Sequence, residues 1–408
     1  MKPPISPTPD RTASSPPGTA REVLWAFLKL GLTSFGGPVA HLGYFRTEFV
    51  QRRQWLGDKD YADLVALCQF LPGPASSQVG MALGLGRAGW GGALAAWIGF
   101  TLPSALALIL FALGVSHWAT LAQSGALHGL KVAAVAVVAQ ALLGMAPALC
   151  PDGRRAGIAV AAALGVLAVP SSAGQIMAIV CGAVLGRWLV PAHPLPPTQH
   201  GRYGVSKATG ALLLGLCAGL LVLLPLLAAW LDASALGVFS DFYQAGALVF
   251  GGGHVVLPLL QAHVVPSGWL SNEVFLAGYG AAQAVPGPLF TVAAYLGAAM
   301  PSPFGGWAGG LALLAAVFLP AFLLVIGTLP YWESLRQRAG VQSAMAGVNA
   351  AVVGVLGAAL YDPVWTSAIH SRADFGMALA AFGLLVYARL SPVLVVMLAA
   401  LTGWWLAL

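Results

Sequence analysis

The sequence predicts an all-α, polytopic membrane protein of two inverted-topology repeats, with broken or re-entrant helices at Gly-Gly and Pro-Gly-Pro motifs. Three observations predict it. The 408 residues are 59% hydrophobic and only 8% charged, whereas soluble domains carry about 25% charged residues. Apolar stretches of roughly 20 residues, the length that crosses a bilayer, recur from residue 22 onward. The chain also repeats itself. Phe35-Gly36-Gly37 and Pro72-Gly73-Pro74 return about 215 positions later as Phe250-Gly251-Gly252 and Pro286-Gly287-Pro288. Trp55-Leu56 returns as Trp269-Leu270, Gln69 as Gln283, Phe100-Thr101-Leu102-Pro103 as Phe318-Leu319-Pro320, and Gly129 to Ala134 as Gly347 to Val352. Matched helix breakers in two copies of one hydrophobic unit are the signature of a secondary transporter.

Residues 1–21 come first, rich in Pro, Ser and Thr and without an apolar run; they read as a disordered cytoplasmic tail with no signal-peptide core. The first repeat, 22–190, holds six hydrophobic segments, at 22–45, 60–86, 90–116, 127–149, 156–170 and 174–190. The Pro-rich stretch 191–207 reads as a stiff cytoplasmic linker, and 208–231 as a single connecting crossing. The second repeat, 240–408, repeats the six at 240–265, 273–298, 305–329, 343–361, 374–389 and 391–408. An even-numbered unit followed by one extra crossing turns the second copy upside down. The charges agree. Arg46, Arg52, Arg53 and Lys59 crowd the loop after the first segment, and the matching loop, 261–272, has no Lys or Arg. The positive-inside rule then places the N-terminus in the cytoplasm and the C-terminus in the periplasm of a bacterial inner membrane.

The first two segments of each repeat read as re-entrant hairpins or as full crossings. Residues 22–35 span only about 21 Å before the break. A hairpin turning at Phe35-Gly36-Gly37-Pro38 keeps both flanking basic regions inside. A second, turning at Pro72-Gly73-Pro74, does the same.

The breakers carry the candidate chemistry. Gly and Pro free backbone groups that hydrocarbon cannot satisfy, so such backbone lines a wet cavity or is buried in protein. N–H groups at the start of a half-helix form an anion site. Pro74 opens one half-helix, 74–86, and Pro288 another, 288–298; Ser76, Ser77 and Thr291 lie in their first turns. Lys29 and Lys131 are intramembrane cations able to pair with an oxyanion, the repeat mate of Lys131 being Asn349. Arg46 stands at the inner mouth, where a guanidinium binds oxyanions bidentately. Proton coupling needs a titratable group near the site. Glu48, Asp63 and Glu273 are candidates, as are His41 and His254 just beyond the two Gly-Gly breaks.

Other classes are excluded. No Walker-type phosphate loop, H-E-x-x-H or paired Cys-x-x-Cys occurs, so no catalytic residue, metal or cofactor is assigned. The net charge of +6 fits loop bias rather than nucleic-acid binding. The four cysteines stand singly in apolar runs.

These combined runs resemble the chromate ion transporter family in its long, two-domain form. The match rests on Phe35-Gly36-Gly37-Pro38, Tyr44-Phe45-Arg46, Arg52-Arg53-Gln54-Trp55-Leu56 and Phe70-Leu71-Pro72-Gly73-Pro74. In the second half it rests on Val249 to Leu259 and Tyr279 to Pro288. The resemblance implies an inner-membrane exporter of chromate, driven by the membrane potential or a proton gradient and conferring chromate resistance. It carries function onto Phe35, Gly36, Gly37, Pro38, Arg46, Pro72, Gly73, Pro74, Phe250, Gly251, Gly252, Pro286, Gly287 and Pro288. Expected partners are chromate, with sulfate as the alternative tetrahedral dianion, protons, the bilayer, and a second copy if the protein is a homo-oligomer. A sulfate permease and a passive anion channel are the rival readings.

Overall fold

The structure is a computed structural model, and it describes residues 18–34, 37–117, 125–192, 203–231, 234–249 and 256–406. Most of the expected tail and linker lie outside these residues, as do Phe35, Gly36 and the run Phe250 to Val255. The described residues are helical throughout their ordered elements, with no strand among them.

In the first half α1 (Ala20–Thr33) and α2 (Gly37–Phe45) flank the first break. A π-helical stretch, Arg46–Arg52, leads to α3 (Asp58–Phe70). The Pro-Gly-Pro turn then opens α4 (Ala75–His117), itself broken at Ala88 and Gly89. Next come α5 (Gly125–Leu149), α6 (Gly153–Ala168) and α7 (Ser172–Leu189). The helix α8 (Lys207–Trp230) stands between the halves. The second half follows the same order: α9 (Ser234–Leu248), α10 (Val256–Val264), α11 (Asn272–Ala284), a 3-10 turn Leu289–Thr291 and α12 (Val292–Ala299). It ends with α13 (Gly306–Thr328), α14 (Ala339–Ala359), α15 (Arg372–Val386) and α16 (Pro392–Leu406). Among the described residues, five stretches are long and apolar enough to cross a membrane: Ala75–Gly114, His128–Leu149, Lys207–Trp230, Gly306–Leu335 and Ala339–Ala368.

Side-chain contacts show that the short helices form hairpins. Phe27 of α1 meets Phe45 at 5.4 Å and stacks on Phe49 at 4.7 Å, so the chain returns alongside itself after the break. Glu22 near the start of α1 reaches Arg53 at 3.9 Å and Arg87 at 3.2 Å. The ends of the first two hairpins therefore gather on one face. In the second half His263, at the end of α10, meets Asp241 of α9 at 3.1 Å. Tyr295 of α12 donates to the carbonyl of Val274 in α11 at 3.0 Å. Of the two sequence alternatives, paired hairpins describe the chain path.

The helix α13 runs from the ends of the second-half hairpins to α3 of the first half. Near its start Phe304 packs on Trp269 at 6.0 Å. Just past its end Trp332 packs on Phe70 and donates its indole N–H to Asp63 at 3.2 Å. Its 23 residues give the helix a length of about 34 Å.

The later helices interlock between halves. α14 of the second half packs on α6 and α7 of the first, and α5 of the first packs on α15 and α16 of the second. Bilayer lipid is as apolar as leucine, so such packing depends on close van der Waals fit through small residues. At Gly347 an added Cβ would overlap Gly182 and Gly186, and at Gly129 it would overlap the carbonyl of Ala399. The lipid-facing α8 buries Cys217 and Leu224 against α9 and α13, with the Tyr243 hydroxyl donating to the Cys217 carbonyl at 3.0 Å.

Candidate functional site

The two Pro-Gly-Pro turns cross. The N–H of Gly73 donates to the carbonyl of Val249 at 2.6 Å, and the N–H of Gly287 donates to the carbonyl of Ser34 at 3.0 Å. Each turn thus satisfies the last residue before the Phe-Gly-Gly break of the other half. Both glycines have left-handed φ, +116° at Gly73 and +105° at Gly287, a region costly for a residue bearing Cβ. Both also lie against the other half. A Cβ at Gly287 would fall 2.8 Å from Ser104 Oγ and 3.2 Å from the Phe100 carbonyl; one at Gly73 would fall 3.4 Å from Ala321.

Around this crossing the first half is polar. Ser34, His41, Ser76, Ser77, Gln78, Thr101 and Ser104 are all buried. His41 sits edge-on to Phe100 at 5.1 Å, with its Nδ1 at 3.4 Å from Ser76 Oγ. The Ser34 backbone faces the ring without closing an aligned bond to Nε2. Gln78 donates to the Pro72 carbonyl at 2.7 Å and Ser104 to the Thr101 carbonyl at 3.0 Å. Five buried atoms have no hydrogen-bond partner: Ser34 Oγ, His41 Nε2, Ser77 Oγ, Gln78 Oε1 and Thr101 Oγ1. Native proteins leave few such groups, because each costs about 1–3 kcal/mol. They gather at one crossing, a polar cluster set in an apolar helical core.

The second half is apolar at most of the same places, Ser77 being the exception with Thr291 as its mate. Aligned on the Phe-Gly-Gly, Pro-Gly-Pro and helix-proline motifs, Ser34 faces Val249, His41 Val256, Ser76 Phe290, Gln78 Val292, Thr101 Phe318 and Ser104 Ala321. Ser34, Gln78, Thr101 and Ser104 were not singled out by motif reasoning. The signal that finds them is a polar residue whose repeat mate is apolar.

The other sequence candidates have these positions. Gly37, Pro72, Gly73, Pro74, Pro286, Gly287 and Pro288 lie at the breaks, as expected, whereas Phe35, Gly36, Phe250, Gly251, Gly252 and His254 lie outside the described residues. Thr291 is buried, but its hydroxyl donates to the Pro288 carbonyl at 2.7 Å, so it closes its own turn. Arg46 pairs with Asp58 at 2.8 Å on an exposed surface. Lys29 is exposed on α1. Lys131 is half-buried and acts electrostatically on Glu273, which is exposed in the first turn of α11. Asn349 is half-buried with its Oδ1 unpartnered. Asp63 accepts from Trp332.

Glu48 is the centre of a clamp at the hairpin ends. It is buried, and it accepts from Arg53 at 2.7 Å and Arg52 at 3.0 Å. Arg53 and Arg87 both lie over the Trp55 ring, at 5.8 and 5.3 Å. Burial pushes the Glu48 carboxyl up, but the Arg53 hydrogen bond and the charges of Arg53, Lys29 and Arg52 outweigh it and hold it below its ordinary value.

A helical membrane protein whose crossed, broken hairpins bury a cluster of unpartnered polar groups has the make-up of a transporter. The sequence profile of the family described as "Chromate transporter" matches residues 21–187 and 236–404, and the chain belongs to that family. It is 29% identical to the "Chromate transport protein" of Cupriavidus metallidurans, over 97% of this chain and 96% of that one. It is 29% identical to the protein of the same name from Pseudomonas aeruginosa, over 98% and 96%. A "Probable chromate transport protein" of Synechococcus elongatus is 29% identical over 85% of this chain and 84% of its own. No solved structure matches.

Proposed function

We propose that this protein is a secondary transporter that exports chromate from the cytoplasm across the bacterial inner membrane, driven by the proton-motive force and conferring chromate resistance. The observation that supports this reading is the cluster of buried, unpartnered polar groups at the crossed turns, which we read as a chamber. Chromate is a tetrahedral dianion and needs donors without a nearby carboxylate. The hydroxyls of Ser34, Ser77 and Thr101 and the Nε2 of His41 are such donors. His41 is the titratable side chain of the chamber, and coupling through it links oxyanion movement to proton movement. The half-helix start at Ala75 adds its dipole. Family membership and the names of the two full-length relatives support the choice of chromate.

In this reading the halves are inverted repeats, the basic hairpin ends are cytoplasmic, and the C-terminus is periplasmic. The bias of Arg46, Arg52, Arg53 and Arg87 toward one face supports the orientation. Rocking of one half on the other about the Gly73 and Gly287 crossings alternates access. Lys131, Asn349 and Arg46 then serve the path to the chamber.

The test is chromate and sulfate flux in inverted membrane vesicles, with and without an uncoupler. Chromate uptake that the uncoupler and Ser77→Ala both abolish is the expected result. Chromate flux indifferent to the uncoupler would make the protein a passive channel. Sulfate flux without chromate flux would make it a sulfate permease.

A further inference from the structure

A second feature lies away from the chamber, on the outer surface of the first half. The seam between α6 and α7 opens into a groove of about 290 Å³, close to the smallest size typical of ligand sites. Its lining is apolar. Ile158, Ala161 and Gly165 supply the α6 side; Met177, Cys181 and Leu185 supply the α7 side. The groove faces outward: Met177 is 57% exposed, and Ala161, Gly165 and Cys181 are exposed with it.

The groove has a basic end. Arg154 precedes Ile158 by one turn, on the groove side of α6. Its Nη1 donates across the seam to the Leu189 carbonyl at 2.9 Å, which leaves the rest of an exposed guanidinium to face a ligand. Trp188, one turn beyond Leu185 on the groove side of α7, is 77% exposed, whereas Arg187 turns away, its guanidinium lying against Gly340 of α14. Arg155 is turned to Asp152, with Nε at 3.4 Å from Oδ2. Asp152 is the one acidic side chain there, and its Oδ1 caps the helix by accepting from the N–H groups of Arg154 and Arg155. Arg154 and Arg155 against one carboxylate leave the end positive.

We propose that this seam binds an anionic phospholipid, one acyl chain lying in the groove and the phosphate on Arg154. The combination selects that occupant. An apolar trough demands a hydrocarbon, its arginine end demands an oxyanion, and an exposed tryptophan at the same level marks a membrane interface. A guanidinium matches phosphate geometry bidentately. A second copy of the chain fits less well. Two copies related by rotation about the bilayer normal would set their arginine ends at one depth, and like charges disfavour that contact.

Cys181 gives the readout. It lines the groove and is exposed, Cys68 and Cys217 are buried, and Cys150 is half-buried. The experiment follows alkylation of Cys181 by a hydrophobic maleimide in purified full-length Cys150→Ser protein. The detergent solution receives phosphatidylglycerol, phosphatidylcholine or inorganic phosphate. Phosphatidylglycerol should protect Cys181 at a concentration about fivefold below that of phosphatidylcholine, the share of the one arginine engaged. Arg154→Gln should erase about fivefold of that preference. Ala161→Phe fills the groove and leaves the arginines, and should remove protection by either lipid while the protein keeps its elution profile. Equal protection by both lipids would overturn the proposal. Protection by inorganic phosphate alone, or protection that tracks protein concentration with a dimer peak, would also overturn it, in favour of a free-anion site or a subunit interface.

Discussion

Replacing Gly287 by alanine tests the crossed turns directly. The residue has φ of +105°, and holding a Cβ-bearing residue in that region costs on the order of 1–3 kcal/mol. The new Cβ would also stand 2.8 Å from Ser104 Oγ and 3.2 Å from the Phe100 carbonyl. The serine can rotate, but the carbonyl belongs to α4 and cannot. Overpacking of this kind costs roughly 1–3 kcal/mol more. The total is about 2–6 kcal/mol, and the route of relief is withdrawal of the turn from Ser34. Gly89 is the matched control: its φ is +61° and its Cβ position is open, so Gly89→Ala meets the conformational cost alone. Thermal unfolding in detergent should rank Gly287→Ala well below Gly89→Ala. Chromate flux in vesicles should fall at least tenfold for Gly287→Ala and stay near the parent level for Gly89→Ala. If the two variants are equally stable and equally active, the packing of the turn against α4 does not support the chamber and the argument fails.

Other perturbations have separate signatures. Thr101→Val removes a buried hydroxyl that has no partner, so it should stabilise by about 1 kcal/mol or leave stability unchanged while flux falls; a stable, inactive protein by melting and transport assays is the expected pair. Gly347→Val would drive a side chain into Gly182 and Gly186 and should cost more than 3 kcal/mol or prevent assembly, with Gly129→Val matching it by size-exclusion and melting profiles. The depressed Glu48 carboxyl contributes stability that is complete above the unfolded carboxylate value of about 4.3 and is lost as pH falls below it. The melting midpoint should therefore fall less between neutral pH and pH about 3.5 in Glu48→Gln than in the parent. Arg46→Ala breaks only an exposed pair and should change stability by less than about 1 kcal/mol, so any loss of flux in that variant reports on the anion path.

The sequence by itself determined the class and the placement of elements. Composition forbade a soluble core, and Gly and Pro at matched positions located the interruptions before Gly37 and at Gly73 and Gly287. Both signals are local: hydropathy and backbone restriction act within one turn of chain. The expected segments and the observed helices differ at their ends by a few residues.

The partners were decided by tertiary structure. Nothing in the local sequence of Pro286-Gly287-Pro288 says that its N–H reaches Ser34, 253 positions away, or that α14 packs on α6 and α7. Such contacts depend on how two halves cross, and that geometry follows from close helix approach at Gly347 and Gly129 rather than from any one segment. The same holds for charge. Arg46, Lys29 and Glu48 look alike in sequence as isolated charges near a break. Folding separates them into an exposed pair, a surface cation and a buried clamp, because desolvation makes a partner obligatory only for the charge that is enclosed.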